Sequence, residues 1–198
     1  KFKKQIQDEC GDEFDEATID KLAHIRLRDE LRSGVQTIQY QINTLMTTNG
    51  QSPFVTLFLN LEEGDPYIEE NAMIIEEIIR QRLEGIKNEQ GVYVTPAFPK
   101  LVYVLDEHNC LKGGKYDYIT KLAVKCSAKR LYPDYISAKK MRENCEGNVF
   151  SPMGCRSFLA PWKDENGNYK FEGRFNQGVV SINLPQIGIV AKGDMDKF

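Results

Sequence analysis

Histidine is nearly missing from this chain: there are two, His24 and His108, far apart in sequence. Ser-His-Asp machinery or a histidine-built metal site therefore has little to draw on. The five cysteines, Cys10, Cys110, Cys126, Cys145 and Cys155, are an odd set with no Cys-x-x-Cys spacing. That pattern argues against a disulfide framework and against a structural zinc site, so no metal is expected in this segment. No apolar run approaches the roughly 20 residues of a membrane helix, and no signal peptide is visible. Net charge is −3, with basic residues matched by acidic ones along the chain, which leaves no surface for nucleic acid. Internal repeats and low-complexity segments are lacking too. The expectation is a soluble, cytoplasmic protein that engages neither membrane nor nucleic acid.

What is present suits a packed interior. The chain has 198 residues, 41% of them hydrophobic, enough for one domain or a piece of a larger one. It begins at Lys1 without an initiator Met and ends after the tail Gly193-Asp194-Met195-Asp196-Lys197, with no closing element. The expectation is an internal piece of a larger catalytic domain.

In chain order, residues 1–15 are charged and nearly aperiodic and read as an exposed lead-in. Over 16–48, Leu31, Val35, Ile38, Ile42 and Leu45 keep a 4-3-4-3 spacing that predicts one long helix, with Leu22, Ile25 and Leu27 widening its apolar face. Thr18 or Asp15 would cap its start, and Asn49-Gly50 would end it. Such a stripe suits either a helix laid over a sheet or one paired with a partner helix. Residues 53–147 then read as βαβα units. Pro53 to Asn60 is too apolar for a one-sided strand and suits a parallel sheet. Asp65-Pro66 reads as a cap followed by Pro at the first helical position, opening a helix through Ile68, Ala72, Ile75, Ile79 and Leu83 to about Lys87. Lys100 to Asp106 is a second buried strand, with His108 just beyond it as a lone surface histidine. Tyr118 to Arg130 is a helix with Ile119, Leu122, Ala123 and Cys126 inward, ended by Tyr132-Pro133. Lys121, Lys125, Lys129 and Arg130 form its solvated face. Ser137 to Gly147 is a short polar helix, and Lys163 to Lys170 a hairpin with an exposed tip. This alternation is α/β, with largely parallel strands.

Ser151-Pro152-Met153-Gly154-Cys155-Arg156-Ser157, within a loop spanning 148–162, reads as a tight turn. Pro152 fixes its own φ, and Gly154 accepts conformations closed to residues with a Cβ. Cys155 would stand near the tip beside the cationic Arg156, a placement suited to a thiol presented into a cavity. By composition alone, such a cysteine reads first as a small buried filler. Downstream, Val180 to Leu184 alternates and stops at Pro185, so a strand is placed within 174–190, with Asn176 and Gln177 at its mouth.

The segments Ser151 to Leu159 (SPMGCRSFL), Phe175 to Ile189 (FNQGVVSINLPQIGI), Ile42 to Leu59 (INTLMTTNGQSPFVTLFL) and Lys121 to Tyr135 (KLAVKCSAKRLYPDY) resemble, in matching order over most of the chain, the anaerobic (class III) ribonucleoside-triphosphate reductases. These are glycyl-radical enzymes. The resemblance implies part of a ten-stranded α/β barrel with a finger loop threaded through its centre. It implies Cys155 as the thiyl-radical cysteine and Asn176 as a polar partner in the substrate pocket. Gly154, Arg156 and Ser157 are candidate substrate contacts, and the sequence does not choose between backbone amides and Arg156 for holding phosphate. Glu63 and Gly64 fall where this superfamily couples effector to substrate choice, and an ordinary polar βα turn is the competing reading. The long helix falls where the family makes its dimer contact.

The implied reaction converts ribonucleoside triphosphates to 2′-deoxyribonucleoside triphosphates under anaerobic conditions, with formate as reductant. The implied partners are ATP and dNTP effectors, a radical-SAM activase and a second copy of the chain. The glycine that stores the radical would lie in a C-terminal region beyond this segment, and a second cysteine upstream of it. Two other readings compete. One is a catalytically inert nucleotide-binding and dimerisation fragment. The other is a glycyl-radical enzyme of the pyruvate formate-lyase type, which would place adjacent cysteines on the finger loop where Gly154-Cys155-Arg156 has one.

Overall fold

The computed structural model describes residues 1–45, 50, 54–152, 161–173 and 181–197. The chain divides into two units, Lys1–Ser151 and Pro152–Phe198.

The first unit opens with α1 (Phe2–Cys10), a single 3-10 turn at Gly11–Glu13, and α2 (Glu16–Thr44). The supposed lead-in is therefore a helix with a buried side. Phe2, Ile6 and Cys10 recur every fourth residue, and Ile6 packs on Ile19 and Ala23 of α2. The charged residues between them hid this short stripe. Asp15, not Thr18, supplies the α2 cap: its Oδ1 accepts the Thr18 amide at 2.8 Å. The long stripe is buried at Val35, half-buried at Leu31 and Ile42, and exposed at Ile38 and Leu45.

Next come β1 (Thr56–Leu59), α3 (Ile68–Glu84), the short strands β2 (Ile86–Lys87) and β3 (Tyr93–Val94), and β4 (Lys100–Leu105). They are followed by α4 (Glu107–Cys110), α5 (Asp117–Arg130), β5 (Asp134–Ser137) and α6 (Ala138–Asn144). Helix α3 starts later than Asp65-Pro66 predicts. The Asp65 carboxylate accepts the Tyr67 amide at 2.8 Å and the Asn71 side-chain amide at 2.7 Å, so Asp65 organises a turn ahead of the helix rather than capping it. The helix also ends before Lys87: Gly85, at φ 91, turns the chain into β2.

Strands β1, β4 and β5 form a three-stranded sheet in the order β1-β4-β5, and both pairings are parallel. The fold is mixed α/β, as the alternation of elements predicts. Leu101 and Tyr103 of β4 join Leu59 and Leu61, Ile75 and Ile79 of α3, and Ile119, Ala123 and Cys126 of α5 in the main core. Val102 and Val104, on the opposite face of the same strand, are also buried. A strand covered on both faces carries an unbroken apolar run, and this is why Lys100 to Leu105 does not alternate. Strand β5 escapes sequence reading because Asp134-Tyr135-Ile136-Ser137 is short and alternates weakly.

Arg130 does not belong to a solvated face. It is buried and bonds the end of α3, as described below. His108 is half-buried rather than on the surface, with its ring edge-on to Tyr116 at 5.8 Å between centroids and neither ring nitrogen hydrogen-bonded.

In the second unit, β6 (Trp162–Lys163) pairs antiparallel with β7 (Tyr169–Lys170), the hairpin read from the sequence. Asp164 holds its tip by accepting the Asn166 and Asn168 amides at 3.0 and 2.8 Å. The strand expected within 174–190 is corrected over its described part. Residues 181–183 have no regular structure, and Leu184–Ala191 is a helix, α7. Asn183 accepts the Gln186 amide at 3.0 Å, with Pro185 in the first turn. A cap followed by Pro is a helix start, and it prevails here over the apolar alternation. Residues 174–180 lie outside the described residues.

Candidate functional site

In a parallel sheet every strand ends on the same edge, and the loops that follow are brought together there. Here that edge collects the turn after β1, the start of α4 after β4, and α6 after β5. The turn carries Glu63 and Gly64, both exposed, with Gly64 at φ 90. Of the candidate substrate, effector and catalytic residues named from the sequence, Glu63 and Gly64 are the two among the described residues, and they lie on this edge. Gly154, Cys155, Arg156, Ser157 and Asn176 lie outside the described residues.

Asp106 follows β4 and anchors this edge. Its Oδ1 accepts the Glu107 amide at 2.9 Å, and Asn109 returns the favour, its Oδ1 accepting the Asp106 amide at 2.9 Å. This reciprocal arrangement caps α4 at both donors. The Asn109 side chain is fully buried and also donates to the Val104 carbonyl at 2.9 Å, tying the cap to the strand it follows. From α6, Arg142 Nη2 reaches Asp106 Oδ2 at 2.6 Å. That hydrogen bond holds the Asp106 carboxyl below the usual carboxylate range. The guanidinium is in turn held more firmly protonated by Asp106 and then by Glu62 and Glu63 across the edge.

Neither Arg142 nor Asn109 stands out on sequence grounds. Asp106 and Asn109 at the spacing of a capping box were the available signal for the cap. Nothing comparable marks Arg142, since its partner is distant in sequence and becomes a neighbour by strand pairing alone.

Beyond α6 the chain is fixed again at Phe150. Its amide donates to the Met141 Sδ at 3.2 Å, and both residues are buried. Among the described residues, no group of three or more His, Cys, Asp and Glu side chains is arranged to hold a metal ion, and no helix is long and apolar enough to cross a membrane.

The family model described as anaerobic ribonucleoside-triphosphate reductase matches residues 6–198. The chain belongs to that reductase family. Three proteins named anaerobic ribonucleoside-triphosphate reductase are similar to it. The one from Escherichia coli (strain K12) is 42% identical over 178 residues, covering 89% of this chain and 24% of its own length. The one from Salmonella typhimurium is 39% identical over 190 residues, covering 95% of this chain and 25% of its own. The reductase of Enterobacteria phage T4 is 38% identical over 190 residues, covering 95% and 30%. The chain thus spans 24% to 30% of the length of these reductases.

Proposed function

We propose that this chain is the segment of an anaerobic ribonucleoside-triphosphate reductase that carries the hydrogen-abstracting cysteine, Cys155. The observation that supports this most directly is that the span matched to the reductase family includes both Cys155 and Asn176. The parallel sheet suits the ten-stranded barrel of that family, with residues 148–162 as its finger loop.

A glycyl radical, stored outside this segment and installed by a radical-SAM activase, supplies the unpaired electron. The Cys155 thiol gives up its hydrogen, and the resulting sulfur radical takes the ribose 3′-hydrogen. With the 3′-position activated, the 2′-hydroxyl leaves as water. Formate supplies the electron pair, so that ribonucleoside triphosphate, formate and a proton give the 2′-deoxy product, carbon dioxide and water. Such a sulfur must be held within reach of one C–H bond and away from water. Asn176 both donates and accepts hydrogen bonds without changing charge, which suits it to orient formate or the ribose hydroxyls. Gly154, Arg156 and Ser157 contact the substrate beside the cysteine. Glu63 and Gly64 lie in the loop through which bound ATP or dNTP sets substrate choice, and α2 makes the contact with a second copy. The enzyme works in the cytoplasm.

The test is Cys155→Ser in the full-length enzyme. The variant is expected to form its glycyl radical, visible by electron paramagnetic resonance, and to make no deoxynucleotide. Measurable turnover would refute the assignment.

A further inference from the structure

The geometry points to a binding site for a chain of phosphate groups in the cleft between α2, α3 and α5. The site does not depend on the chemistry proposed above for Cys155.

The cleft has a volume of about 430 Å3, which falls among small-molecule sites. Four cationic side chains line it: Arg32 of α2, Arg80 of α3, and Lys125 and Lys129 of α5. Two carboxylates, Glu77 and Glu84, line it as well, so cations are in excess. One group of each sign is already engaged within the protein. Arg80 is bound to Glu76 at 2.6 Å, and Glu77 accepts the Gln81 side-chain amide at 2.7 Å. Lys121, one turn earlier on α5, is paired with Asp117 at 2.7 Å. Among the described residues, Arg32, Lys125 and Lys129 form no ion pair.

The cleft is held in shape from below. Gln81, also in its lining, is 6% exposed, and its amide donates to the Arg32 carbonyl at 2.9 Å, which ties α2 to α3. Lys125 and Lys129 stand four residues apart on one helix and so share a side of it. Like charges gathered around one cleft repel each other, and the apolar Leu83 and Leu122 beside them weaken screening by water. A bound anion relieves that repulsion. A phosphate chain suits this set better than a lone carboxylate does. Its negative oxygens are spread along a length, so they can meet the two ammonium groups of α5 and the planar fork of Arg32 together. Helix α5 ends at Arg130 and β5 starts at Asp134, so this half of the helix lies by the edge where strands begin. Glu63 and Gly64 follow the end of β1, at the other edge, so the cleft is not the loop assigned above to effector coupling.

The test is lysine footprinting of the full-length reductase, with inorganic tripolyphosphate as probe and peptide mass mapping after brief acetylation. Lys121, exposed on the same helix, is the internal reference. Labelling of Lys125 and Lys129 is expected to slow by roughly tenfold at saturating probe, the scale of one charge-assisted bond, while Lys121 is unchanged. Lys129→Gln and Arg32→Gln should each weaken the protection of Lys125; both positions are exposed, so the fold is spared. ATP as a second probe separates the sources of the phosphate. Stronger protection than tripolyphosphate gives adds nucleoside contacts to the site, and equal protection assigns it to the phosphate chain alone.

The inference is overturned if Lys125 and Lys129 gain no protection from tripolyphosphate. Equal protection of Lys121, or equal protection by sulfate at matched ionic strength, also overturns it, because both report charge screening rather than a site. So does protection of Lys125 that survives Lys129→Gln and Arg32→Gln combined, since the probe would then act from elsewhere.

Discussion

Arg130 closes a helix to which it does not belong. From the last turn of α5 its Nε donates to the Leu83 carbonyl of α3 at 3.0 Å, and its Nη2 donates to the carbonyl of Glu84. The last carbonyls of a helix have no partner within it, and here a distant guanidinium meets two of them where the chain turns at Gly85. A Cβ on Gly85 would come within 2.8 Å of the Arg130 Nη2 and 2.7 Å of the Val94 carbonyl oxygen, so glycine makes room for this approach. Arg130→Ala should therefore destabilise the fold by roughly 1–3 kcal/mol, the range for buried polar groups left without a partner. Arg130→Lys should recover only part, because an ammonium lacks the planar fork. Urea unfolding of the variants measures this, and an unchanged midpoint would remove Arg130 from the helix-closing role.

Tyr103 is fully buried, and burial pushes its phenol up to about 12. Its hydroxyl lies 2.9 Å from Thr120 Oγ1, which itself donates to the Asn109 carbonyl at 2.6 Å, so Tyr103 is the donor in the first of these bonds. A phenol raised above its unfolded value of about 10 contributes stability that is complete below about pH 10 and is lost as pH climbs through the folded value. Tyr103→Phe should accordingly flatten the alkaline limb of the stability curve between about pH 10 and 12, after an overall loss of roughly 1 kcal/mol for the hydrogen bond. Denaturant unfolding at stepped pH checks both parts.

The cysteines should separate by reactivity. Cys126 is fully buried, with its thiol pushed up by that burial, whereas Cys110 is exposed. Thiolate is the reactive form, and it must also be reachable. Alkylation of the folded protein, followed by peptide mass mapping, should label Cys110 early and Cys126 only as the protein unfolds. Comparable rates at the two would mean that α5 opens far more readily than its packing indicates.

Asn176→Ala tests the second proposed site residue. If Asn176 orients formate or ribose, turnover should fall by at least tenfold, the scale of a lost orienting contact near the reacting centre. Binding of dNTP effectors, followed by calorimetry, should persist. Full activity in this variant would make Asn176 a structural residue.

The elements legible in the sequence are those whose cause is local. Helix α5 announces itself through Ile119, Ala123 and Cys126 at helical spacing, and all three are buried. Strand β4 follows from its unbroken apolar run, and the β6–β7 hairpin from the Asn and Gly residues around its tip. Misreadings arose where two local signals competed or one was faint. Asn183 and Pro185 start α7 in a stretch whose apolar alternation suggests a strand, and Ile6 with two neighbours turns a charged lead-in into α1.

By itself, the sequence determined the family, through its resemblance, and the α/β alternation, through its periodicity, because both are carried by neighbours along the chain. Tertiary structure alone decided that Arg130 ends α3, that Asn109 is buried against the Val104 carbonyl, and that Arg142 pairs with Asp106. A charged side chain reads as solvated until its partner is known. Arg142 meets Asp106 because parallel pairing of β4 and β5 brings the ends of both strands to one edge, whereas Arg130 meets the far end of α3.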